Sequence, residues 1–179
     1  MPMLYSDKKG LYLTGHLAKK LPYEGTEIPP ERTKADIDSI LHEFVILDDH
    51  GNRTCHITAI RWTDIPPSLP ILEFMVEYIH EGVKKGSSIR IKPPLLIRRK
   101  RQRGGHVNTE APAQSMRLFY WYLKSKLEAI LFGLNDLTSE FLNEVIISLP
   151  SGKDATVGEI IVKQIQDSKI PALTFNRET

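Results

Sequence analysis

From Ser39 to Leu47 the chain alternates Ile40, His42, Phe44 and Ile46 with Leu41, Glu43, Val45 and Leu47, and both sets are largely apolar. This pattern predicts a strand buried on both faces. Asp48, Asp49, His50, Gly51 and Asn52 follow as a cluster of turn formers, and Arg53 to Trp62 reads as a second strand rich in Thr, Ile and Trp. The pair is expected to form a β-hairpin. Upstream, residues 1–34 mix short apolar pieces (Leu11, Tyr12, Leu13, Leu17) with charge and with Pro29 and Pro30. They predict an extended arm carrying one short strand around Gly10 to Thr14.

After Pro66, Pro67 and Pro70, the residues Ile71, Phe74, Met75, Tyr78, Ile79 and Val83 recur at three- and four-residue intervals. That spacing predicts an amphipathic helix over about 70–85, with Ser68 as its cap. Ser87 to Lys92 opposes Ile89 and Ile91 to Arg90 and Lys92, the alternation of a strand. Pro93 and Pro94 stop regular pairing, and 93–111 reads as an exposed loop or hairpin tip. A second helix is expected from Pro112 to Phe132, with Met116, Phe119, Tyr120, Leu123, Leu127, Ile130 and Leu131 on one side. Leu137 to Leu142 predicts a further helical turn, Val145 to Leu149 a strand, and 150–154 its turn. Thr156 and Glu159 have the spacing of a capping box, which opens a last helix running to about Asp167.

Together these elements predict an α+β protein, an antiparallel sheet with a central β-hairpin packed against two or three amphipathic helices. The arm occupies 1–34 and a single globular domain 35–179, a length that can bury a working core. A composition of 41% hydrophobic and 26% charged residues is that of a folded chain. The single cysteine, Cys55, excludes an intramolecular disulfide and any multi-cysteine metal site, so an intracellular, reducing compartment is expected. Cys55 and His56 are neighbours on a strand and point to opposite faces, and no metal or other cofactor is expected. Asp7, Lys8 and Lys9 interrupt the first ten residues, which therefore do not read as a secretory signal. The apolar runs 44–47 and 118–123 fall far short of the about 20 residues a membrane-spanning helix needs.

Charge changes the picture most. Between Glu81 and Glu110 there is no acidic residue, yet Lys84, Lys85, Arg90, Lys92, Arg98, Arg99, Lys100, Arg101 and Arg103 lie there. Nine of the chain's 24 basic residues thus occupy 28 positions, and the remainder is net acidic. Such segregation points to a polyanionic partner, because a concentrated positive field attracts phosphate and releases counterions on contact. The run 98–103 also has the form of a nuclear-import signal, which an import receptor would read, and its composition suits an anionic membrane surface. Arg103-Gly104-Gly105 resembles one copy of the Arg-Gly-Gly element of RNA-binding segments. Four consecutive aromatics, 119–122, must point around a helix, so Trp121 and Tyr122 are expected at the surface for base stacking or a protein interface.

Catalytic motifs are missing: there is no Gly-x-Ser-x-Gly elbow, His-Glu-x-x-His, Gly-x-Gly-x-x-Gly or complete phosphate loop. No catalytic residue is expected. The leading expectation is a non-enzymatic protein binding RNA or DNA, RNA foremost, largely without sequence readout, through Arg98, Arg99, Lys100, Arg101 and Arg103, with Lys84, Lys85, Arg90 and Lys92 extending the patch. One alternative is a self-assembling viral structural protein of matrix or coat type, a homo-oligomer whose basic face meets nucleoprotein or anionic membrane. A nuclease-like enzyme with Glu43 and Asp48 at its site is the other. The nucleus is the compartment an import signal would imply.

Overall fold

The computed structural model describes residues 4–7, 10–13, 26–64, 69–102 and 105–167. Arg103, Gly104, Ser68 and Thr14 lie outside the described residues. The architecture is α+β, with a four-stranded antiparallel sheet covered on one face by helices. In chain order the elements are β1 (Leu4–Asp7), β2 (Gly10–Leu13), α1 (Pro30–Glu43), β3 (Val45–Leu47), β4 (Arg53–Thr63), β5 (Ile71–His80) and β6 (Val83–Ile91). Then follow β7 (Leu96–Gln102), β8 (Gly105–Glu110), α2 (Pro112–Leu131), α3 (Leu137–Phe141), a 3-10 turn (Leu142–Glu144), β9 (Ile146–Ser148), β10 (Asp154–Thr156) and α4 (Val157–Gln166).

The main sheet has the order β3-β4-β5-β6. Its core face presents Cys55, Leu72, Phe74, Val76, Ile89 and Ile91 to α1 and α2. Helix α2 contributes Met116, Phe119, Leu123 and Leu127, as its 3.6-residue stripe predicts. Edge-to-face rings lock the layers: Trp62 on Phe119 at 6.4 Å and Phe74 on Phe141 at 5.7 Å. The expected turn at 48–52 closes β3 onto β4, and the Asp48 carboxylate organises it by accepting from the amides of His50 and Asn52. The capping box opening α4 is present in both directions.

Two expectations change. Residues 39–43 are not strand but the last turns of α1, so the expected hairpin keeps only Val45–Leu47 of its first strand, and the boundary at residue 34 falls inside a helix. The missed signal is the buried row Thr33, Ile37 and Leu41 at four-residue spacing, led by Pro30 in the first turn, where its missing N–H is harmless. A window opening at Ser39 sees one turn of that row.

Residues 70–85 are not a helix but the hairpin β5–β6. Leu72, Phe74, Val76 and Tyr78 form a period-two set alongside the three-and-four spacing, and pairing with β4 and β6 selects it. Positive φ at both Glu81 (52°) and Gly82 (75°) is what a tight type I′ hairpin turn requires.

Of the loop and hairpin alternatives for 93–111, the second holds for the described residues: Leu96–Gln102 and Gly105–Glu110 pair as β7 and β8, which join β1 and β2 in a second sheet of order β1-β2-β7-β8. Strand β2 covers the expected arm strand and runs parallel to β7, pairing Leu11 with Leu96 and Tyr12 with Ile97.

Candidate nucleic-acid interface

Eight of the nine cations of the acid-free gap lie among the described residues, Lys84, Lys85 and Arg90 on β6, Lys92 just past it, and Arg98, Arg99, Lys100 and Arg101 on β7. On β5–β6, acids face them. Arg90 stands opposite Glu73 in the register, its Nε 2.6 Å from the carboxylate, which Arg61 of β4 also holds from the other side. Lys84 reaches Glu77, diagonally across the same pair of strands, at 2.6 Å. Lys92, just past β6, bonds Glu159 at 2.7 Å, while the other oxygen of Glu159 accepts from the Thr156 amide in the capping box.

The carboxylates register these partners. Burial pushes the Glu73 carboxyl up, but the hydrogen bonds and charges of Arg61 and Arg90 outweigh it and hold the group below the usual range. The Lys84 ammonium does the same for Glu77 against a smaller burial effect, and the Lys92 ammonium for Glu159. Lys85 has no ion-pair partner among the described residues and lines a groove at the end of the sheet.

On β7–β8 the strand register sets no acid opposite positions 98–101. Positions 98, 99, 100 and 101 pair with Thr109, Asn108, Val107 and His106, and pairing ends at Gln102 with Gly105. The first acid on β8 is Glu110, opposite Ile97 at the base. That base is well anchored. Leu96 and Ile97 are buried, and the buried Ser115 hydroxyl accepts from the Leu96 amide at 2.8 Å while donating to the Ala111 carbonyl at 2.8 Å. The Ala111 amide donates to the Leu96 carbonyl at 2.9 Å. A firm root thus carries a two-stranded ribbon whose paired positions 98–101 supply positive charge without a cross-strand counter-charge.

Trp121 and Tyr122 both reach the surface, but one residue along a helix turns a side chain by about 100°, and they part company. Trp121 is 45% exposed, flanked by the Arg117 guanidinium (5.7 Å) and the Lys124 ammonium (5.5 Å). Arg117 also covers Tyr120 at 4.4 Å and is fixed by Asp36 at 2.9 Å. The result is an exposed aromatic ring with two cations over it, Arg117, paired to Asp36, and Lys124, whose Nζ lies 3.7 Å from Glu128, and both fall outside the acid-free gap. Tyr122 instead donates its hydroxyl to Glu144 at 2.9 Å and lines a cavity of about 420 Å³ between β6, α2 and the start of α4. Burial, reinforced by Glu144, raises its pKa well above that of a free tyrosine.

The other candidate groups have local partners. Cys55 faces the core, where burial pushes its thiol up to about 11, and His56 on the opposite face lies 3.8 Å from Glu77. Glu43 accepts from the Ser39 hydroxyl at 2.8 Å, and Asp48 is taken up by its turn. Among the described residues, no group of three His, Cys, Asp or Glu side chains is placed to hold a metal ion, and no helix is long and apolar enough to cross a membrane. Comparison with protein-family models, with curated proteins and with solved structures returns no match, so a functional reading of this α+β chain rests on its own residues.

Proposed function

We propose that the chain binds nucleic acid, RNA foremost, without enzymatic action and largely without sequence readout, through the β7–β8 ribbon. The register carries this reading: Arg98, Arg99, Lys100 and Arg101 stand opposite Thr109, Asn108, Val107 and His106, so no acid across the ribbon competes with phosphate. Arg103 and the two glycines after it continue the same composition. Trp121, 45% exposed on α2, offers an aromatic contact that favours unpaired bases over a duplex. The run 98–102 is paired to β8 and is not free as a short linear signal, and this favours phosphate binding over import as the main role.

The test is a salt titration of binding to single-stranded RNA, duplex DNA and anionic vesicles, for the parent and for a variant with Arg98, Arg99, Lys100, Arg101 and Arg103 changed to Ala. RNA affinity is expected to fall at least about a hundredfold, and the slope of log K against log salt to flatten by up to about 3.5 if all five engage phosphates. Equal RNA binding by the two proteins overturns the proposal, and a loss confined to vesicles transfers it to a lipid surface.

A further inference from the structure

One end of the molecule gathers large apolar side chains that its own fold does not use. Leu47 lies at the β3–β4 turn, Ile79 and Val83 flank the β5–β6 turn, and Leu131, Phe132 and Leu134 close α2, the last two 76% and 75% exposed. Helix α2 ends in a Schellman motif: the Leu134 amide donates to the Ala129 carbonyl and the Gly133 amide to that of Ile130, with Gly133 at φ 70°. In that motif the residue after the glycine commonly packs back on the helix. Here Leu134 stands in water. Patches of this kind on a folded domain mark interaction surfaces.

Beside this knob runs a groove of about 720 Å³ between the end of the sheet and the start of α3. Its sheet wall carries His80 and Lys85, and its helix wall carries Asp136 and Ser139. We propose that this end is a two-fold interface between two copies of the chain, with Phe132 and Leu134 of each entering the groove of the other. Two features of this end select a second copy as the occupant. A two-fold contact needs one surface that is complementary to itself, and a knob next to a hole meets that condition. The groove is also polarised, so a two-fold turn sets the basic wall of each copy against the acidic wall of the other. Lys85, without an ion-pair partner among the described residues, then meets Asp136. Nucleic acid or anionic lipid would face Asp136 and gain nothing from it. The interface is independent of the β7–β8 ribbon and of the proposed RNA binding.

Sedimentation of the full chain over a range of concentrations tests it. The parent is expected to show a reversible monomer–dimer equilibrium, and the double variant Phe132→Glu with Leu134→Glu to be monomeric with an unchanged circular dichroism spectrum and melting temperature. Lys85→Glu should weaken the dimer about tenfold. Asp136→Asn should weaken it too while keeping the α3 cap, which asparagine also supplies. A parent that stays monomeric throughout, or a dimer that survives the double variant, overturns the proposal. So does a parent that remains monomeric but floats with anionic vesicles through Phe132 and Leu134, because the occupant is then lipid.

Discussion

Hairpins β5–β6 and β7–β8 carry most of the chain's excess positive charge and are built from similar strands, yet the register sets that charge against different neighbours. In the first, Glu73 and Glu77 on β5 take up Arg90 and Lys84 of β6, so the cations fasten three strands together. In the second, the register sets Thr109, Asn108, Val107 and His106, none of them acidic, across from the four cations of β7, and we propose that this charge serves nucleic acid. A count of basic residues does not separate these roles. The identity of the residue across the ladder does.

The comparison can be broken first at Arg90. Changing it to Ala removes one of the two guanidiniums on the partly buried Glu73, which should cost on the order of 2 kcal/mol of stability. RNA affinity should stay within about twofold of the parent, since a paired cation adds little to a phosphate surface. Denaturant unfolding and RNA titration of the same protein measure both. A large loss of RNA affinity at unchanged stability would place Arg90 in the binding surface instead.

The converse change makes the second hairpin resemble the first. Asn108→Glu puts a carboxylate opposite Arg99. It should lower RNA affinity about tenfold, an effect of about 1.4 kcal/mol, and raise stability by a few tenths. Unaltered affinity would mean that the ribbon is not the contact.

The smallest effect sharpens the comparison by pH. Glu73, Glu77 and Glu159 have folded-state pKa values below those of the unfolded chain. A depressed carboxylate contributes stability that is complete above its unfolded value of about 4.3 and is lost as pH falls through the lower folded value. Stability should therefore decline below about pH 4, and Glu73→Gln should reduce the size of that decline. The ribbon has no carboxylate between positions 98 and 109, so RNA binding measured above the unfolding range should not follow these three groups. A binding curve that tracks their titration would join the two hairpins into one surface.

How far the sequence led depends on the range of the interaction that decides each element. Helix α2, the Asp48 turn and the Thr156–Glu159 box rest on contacts within a few residues, and each stands where the pattern places it. The surface position of Trp121 follows from four aromatics on one helix, but the Tyr122–Glu144 bond that separates its neighbour from it spans 22 residues. For 70–85, helical and strand periods compete within one segment, and the choice lies with β4 and β6. The α1 stripe is legible, since Thr33, Ile37 and Leu41 are four apart, but only in a window that opens before Thr33 and crosses residue 34.

By itself, then, the sequence determined that positive charge is concentrated between Glu81 and Glu110, because composition needs no partner. Which of those cations bind the protein's own acids was decided by the tertiary structure alone. Arg90 meets Glu73 across a ladder and Lys92 meets Glu159 across 67 residues, and strand register and helix docking bring such distant residues together. Screened charges pair only at close range in water, so those placements identify the cations that hold the fold.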